Sequence, residues 1–160
     1  VRRGGEAAKE WLTKMKAQAP KDYPKNTPVI QAIADGEIDV GLVNHYYLYR
    51  FKAEKGDAFP VENHYLPAKD PGALVNLAGA AILKSAKHKK AAERFVAYLL
   101  SEPAQHYFRD ETYEFPAVPG VPAAKHAPSL ETLVDTEFDL SALADLEGTL
   151  RLLRRTQVLP

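Results

Sequence analysis

The chain has 160 residues, 46% hydrophobic and 26% charged, which is enough for one domain with a real core and is a globular composition. Lys+Arg and Asp+Glu are both 21, so the formal net charge is zero, and neither a nucleic acid nor an anionic membrane finds an electrostatic footprint. Cysteine is absent, which excludes zinc fingers, iron–sulfur clusters, thiol catalysis and disulfides, and no apolar run approaches the roughly 18 residues needed to span a bilayer.

The chain opens Val1-Arg2-Arg3-Gly4-Gly5 without Met and without a signal-peptide pattern, and reads as a piece of a longer protein. Ala7, Ala8, Trp11, Leu12 and Met15 recur at helical spacing and predict an amphipathic helix over about 5–19, ended by Pro20. A short extended segment around Tyr23 follows, interrupted by Pro24. Asn26-Thr27-Pro28 is a helix start, with polar caps and then proline at the first helical position. Val29, Ile30 and Ile33 give that helix its buried face, and Gly36 fits the left-handed residue that ends it. Its N-terminus can hold an anion; a plain structural cap is the alternative.

Ile38 to Val43 is a short apolar run that reads as a buried strand. Asn44 then caps a helix predicted over about 45–55 that stops at Gly56. Tyr46 and Tyr47 fall in its first turn, at the carboxyl end of a strand, where open α/β sheets place their ligands. A phenol with a reference pKa of about 10 ligates at neutral pH only when something strongly favours the phenolate. A trivalent cation does so, and a hard phenolate oxygen suits a hard ion. The pair therefore predicts a site for a high-charge metal, ferric iron above all. Successive helical residues point about 100° apart, so both rings reach one ion only at an irregular first turn. The alternative is that Tyr46, Tyr47, Tyr49 and Phe51 are packing aromatics.

Further on, 61–66 reads as a strand, Lys69-Asp70-Pro71-Gly72 as a turn, and Ala73 to Leu83 as a buried strand crossing between layers. Ala91, Ala92, Phe95, Val96, Leu99 and Leu100 form a helical stripe over about 88–101, and a shorter helix over 103–109 follows. Proline-rich 111–128 reads as an ordered loop, and Leu143, Leu146, Leu150 and Leu153 predict a helix over about 141–155. No Gly-rich phosphate loop and no internal repeat is present. The histidines at 45, 64, 88, 106 and 126 lack metal-ligand spacing. His45 sits beside the tyrosines, in a solvent-facing or backbone-bonded role or orienting the pair. Glu111 and Glu114 read as a charged loop surface rather than paired carboxylates, and the lysines of 84–90 as a solvated helix start.

Val40-Gly41-Leu42-Val43-Asn44-His45-Tyr46-Tyr47 closely resembles the dityrosyl segment of the bacterial ferric-iron-binding proteins, the periplasmic components of iron ABC importers. Tyr23-Pro24-Lys25-Asn26-Thr27, the run from Asn76 to Ser85 and the run from Tyr113 to Val121 also look like that family, in its order. The resemblance implies an α/β, periplasmic-binding-protein-like fold of class II, a two-lobed Venus flytrap with iron in the cleft, of which this chain is the C-terminal half. It implies that Tyr46 and Tyr47 supply phenolates, and that Asn26, Thr27 and Asn44 surround a synergistic anion such as carbonate or phosphate. Two phenolates leave one positive charge on ferric iron, which an anion neutralises.

A full family member is twice as long. The resemblance therefore places 1–75 in the C-terminal lobe, 76–127 in a segment returning to the N-terminal lobe, and 128–160 in a C-terminal-lobe tail. The implied partners are an ABC permease in the inner membrane, the missing N-terminal half and, for the piece alone, another copy of itself; the implied location is the periplasm, or a lipid anchor outside the cytoplasmic membrane. Two other readings share the scaffold: a solute-binding protein for a small organic anion, and an enzyme, for which no general acid or base stands out. A structural fragment with protonated, packed tyrosines is a further one.

Overall fold

The computed structural model describes residues 4–134 and 140–158. The regular structure among them is helical: α1 is Gly4–Ala17, α2 Asn26–Ala34, α3 Tyr46–Lys55, α4 Lys89–Leu99, α5 Glu102–Glu111 and α6 Leu146–Arg155, with 3₁₀ turns at Leu130–Thr132 and Leu140–Ala144. The helices pack in pairs, α2 on α3, α1 on α6 and α4 on α5.

The core sits under the first of these pairs. Ile30 on α2, Leu48 and Phe51 on α3, and Val61 beyond it form one buried cluster, with Ile33, Val43, Tyr47 and Phe59 packed around it. Leu48 and Phe51 are three residues apart, so they share a helix face. Gly56 follows at φ +91°, a conformation that costs glycine little, and turns the chain back beneath α3. That return stacks Phe59 on Phe51, with centroids 5.1 Å apart and planes 18° from parallel.

Gly41 is where the approach is closest. A Cβ there would lie 2.3 Å from Val29 Cγ1 and 3.3 Å from Ile33 Cδ1. Gly41→Ala should push the 38–44 segment off α2 and lower stability by about 1–3 kcal/mol, the range for overpacking. Urea unfolding measures it, and an unchanged midpoint would show that the contact is loose.

The helix predictions need small corrections, each with a local cause. α1 ends at Ala17, and Ala19 takes φ +50°, so the helix stops short of 19. α2 begins at Asn26 with Lys25 as its cap, which puts Pro28 third in the helix rather than first; an N–H in that turn has no intrahelical partner to lose. The tail divides at Asp145, whose carboxylate accepts from Gly148 N–H at 2.8 Å, so α6 starts only at Leu146.

The strand predictions fail more broadly. None of 38–43, 61–66 or 73–83 is a strand. A strand exists only by hydrogen bonding to a neighbour, and no such neighbour is present among the described residues. The 38–43 segment keeps a trace of alternation: Gly41 and Val43 face the protein while Val40 and Leu42 are 83% and 86% exposed. Leu74, Leu77, Ile82 and Leu83, expected to be buried, are exposed as well. The stripes on α4 and α6 are helical as predicted but bury no residue; Phe95, Leu100 and Leu146 lie open.

Candidate dityrosyl site

The site is built at the start of α3. Its first turn is tighter than an α-helix: Tyr47 N–H donates to Asn44 O at 3.2 Å and Leu48 N–H to His45 O at 3.3 Å, both three-residue bonds. In this irregular turn the Tyr46 and Tyr47 rings lie side by side, centroids 4.6 Å apart and planes at 36°, instead of splaying as a regular helix would send them.

Asn44 does not cap the helix, as its sequence position suggested. The cap residue is His45, and it makes no side-chain cap bond. Asn44 Nδ2 donates instead to the Tyr46 hydroxyl at 3.2 Å, and Asn44 N–H donates to Asn26 Oδ1 at 3.0 Å. Asn26, Asn44, Tyr46 and Tyr47 are thus one connected group spanning the starts of α2 and α3. Thr27 is exposed on the first turn of α2 and shares no hydrogen bond with them among the described residues.

The Tyr46 phenol is held above its ordinary pKa. Burial is the main cause, hydrogen bonding to Tyr47 and that residue's charge come next, the Asn44 hydrogen bond opposes, and the Glu114 charge adds to the rise. Burial thus disfavours the Tyr46 phenolate, and a cation of high charge is the kind of partner that favours it.

Behind the pair lies a further cluster of rings, drawn from segments far apart in the sequence. His45 is backbone-bonded: its Nε2 lies 2.9 Å from Tyr113 O, and because a carbonyl only accepts, Nε2 carries the hydrogen. Burial lowers its pKa, with the Tyr113 bond and Glu114 opposing. Asn63 Nδ2 donates to His45 O at 3.0 Å. Tyr49 donates to His126 O at 3.2 Å, so in its 2.9 Å bond with Tyr65 it accepts. Burial pushes the Tyr65 phenol up as well. These contacts fasten the proline-rich 111–128 loop to α3.

Glu114, expected on a charged loop surface, is half-buried, accepts from Thr112 Oγ1 at 2.9 Å and lines a groove of about 950 Å³ with Asn44, His45 and Tyr46. Among the described residues no three His, Asp or Glu side chains cluster as a metal site. Arg50, whose guanidinium carbon lies 5.3 Å from each of the two ring centroids, has a sequence signal, three and four residues beyond the pair on one helix face; Tyr113 O and Asn63 have none.

Residues 4–114 match the family described as bacterial extracellular solute-binding protein. The chain is 35% identical over 158 residues to the major ferric iron-binding protein of Neisseria meningitidis serogroup B, covering 96% of this chain and 46% of that protein. It is 31% identical over 137 residues to the Fe(3+)-binding periplasmic protein of Serratia marcescens, covering 84% and 39%. Its backbone superposes on a crystal structure of iron-bound HitA from Pseudomonas aeruginosa with a TM-score of 0.83 and 36% identity, over 94% of this chain and 49% of that one. The chain thus spans about half the length, or less, of these relatives. It follows half of a two-lobed, periplasmic-binding-protein-like fold, so the α/β class stands although the strand segments are unpaired here. With more than half of its residues inside the family's pattern and its backbone following a solved iron-bound relative, the chain belongs to the bacterial extracellular solute-binding proteins.

Proposed function

We propose that this chain is the part of a periplasmic solute-binding protein that grips ferric iron and, in the whole molecule, delivers it to an ABC-type permease. The observation that carries the reading is the Tyr46–Tyr47 ring pair, 4.6 Å apart in the irregular first turn of α3. Two phenolates neutralise two of the three charges of the ion, and a synergistic anion such as carbonate or phosphate takes the third. Asn26 and Asn44 tie the two helix starts together beside the rings, and in this reading the exposed Thr27 on the first turn of α2 is a further hydroxyl for the anion. The role is binding rather than catalysis, with closure of two lobes around the cargo and opening at the transporter.

The reading also explains the open faces. Segments 1–75 and 128–160 belong to the C-terminal lobe and 76–127 crosses toward the other one. The unpaired 38–43 and 73–83 segments and the groove lined by Tyr46 and Glu114 are where the first half of a full-length relative packs. Without it the chain associates with a second copy of itself.

Titration with ferric citrate tests the reading. The 160-residue chain alone should bind weakly, because it lacks the donors of the other half. Co-expression with the first half of a relative should tighten binding at least about tenfold, on the scale at which lost partners weaken metal sites, and bring up a visible phenolate-to-iron band. Tight binding by the chain alone would refute the incompleteness; a colourless completed protein would refute the iron reading.

A further inference from the structure

Arg50 stands one helical turn beyond the tyrosines, and its guanidinium carbon lies 5.3 Å from the Tyr46 ring centroid and 5.3 Å from that of Tyr47. Among the described residues no carboxylate pairs with it, whereas Lys14, Lys21, Lys52, Arg109 and Arg151 each have one. Its charge is therefore directed at the two rings rather than spent on a neighbouring acid. A cation over an aromatic face is attracted by the ring quadrupole, and a flat guanidinium can lie against two faces where an ammonium is a single point. The tight first turn brings the rings side by side, and Arg50 is a shared group equidistant from both.

We propose that Arg50 is a positioning residue that holds the Tyr46 and Tyr47 rings as a pair and sets the energy of the electrons they donate to the bound ion. The proposal rests on the iron reading above. When the phenols become ligands their rings carry negative charge, and the anion offsets the rest of the ion's charge. The nearest charge that Arg50 meets is then that of the rings, so its attraction is stronger in the loaded state than in the empty one and contributes to affinity rather than only to folding.

The test uses the completed protein, both halves present, titrated with ferric citrate. Arg50 is exposed, so Arg50→Gln leaves the fold intact. Arg50→Gln should lower ferric affinity about three- to thirtyfold, the span of cation–π strengths. It should also move the visible band to longer wavelength, since removing a cation beside the donor rings raises the donor level. Arg50→Lys, which keeps the charge, should return the band toward its original position and recover only part of the affinity. A band unmoved in Arg50→Gln overturns the proposal even if affinity falls, because a merely structural contact would behave that way. A wild-type protein without a band removes the iron reading and this inference together, whereas a coloured wild type with an identical Arg50→Gln removes this inference alone.

Discussion

Replacing Tyr46 and Tyr47 together by Phe will abolish the visible colour of the ferric complex in the completed protein and cut its iron affinity by more than the roughly 10–100-fold that loss of a hydrogen-bond partner behind a ligand costs a metal site. Phe keeps the ring and removes only the oxygen. The 4.6 Å ring pair, the packing of Tyr47 on the core and the Arg50 contacts all survive in outline. The loss then reports ligation and not folding, and an unfolding midpoint close to the parent's is part of the expected result. Each single replacement should leave a weaker band, because one phenolate remains. A double variant that still colours in ferric citrate would place the donors elsewhere and end the dityrosyl reading.

Leu48→Ala will cost about 2–5 kcal/mol, the range for emptying a buried leucine site. Leu48 is 1% exposed and lies at the centre of the cluster that joins α2 to α3. Domains of this kind are stable by only about 5–15 kcal/mol, so one residue holds a large share. The same cluster sets α2 against α3, and with them Asn26 against Asn44. Iron binding should therefore weaken along with stability, although Leu48 is not a donor. Leu42→Ala is the contrast: at 86% exposure it should change the stability of this chain by no more than about 0.5 kcal/mol. Urea unfolding of both separates them, and equal midpoints would mean that the core is not where α2 and α3 meet.

The neighbourhood of Asn26, Asn44, Tyr46 and Tyr47 is partly legible in the sequence: helix-start chemistry, the hardness of phenolate oxygen and the resemblance single these four out, and the structure brings them together. How they connect was not legible. Asn44 reads as a cap by residue type, yet its amide goes to Tyr46 and its backbone N–H to Asn26, partners two and eighteen residues away. The Tyr113 carbonyl that fixes His45 is sixty-eight residues distant and has no side-chain signature at all.

The same division runs through the fold. Residue order alone determined the helices to within a few positions, because a helix satisfies its hydrogen bonds with residues three or four away and advertises its buried face by spacing. It also determined that two adjacent phenols open α3. It could not make strands of 38–43 and 73–83, whose N–H and C=O groups need a neighbour that the described chain does not bring to them. Nor could it say that the first turn of α3 is tight enough to set two adjacent rings side by side, or that Arg50 lies equally over both. Those facts depend on contacts between distant segments, and tertiary packing alone decides them.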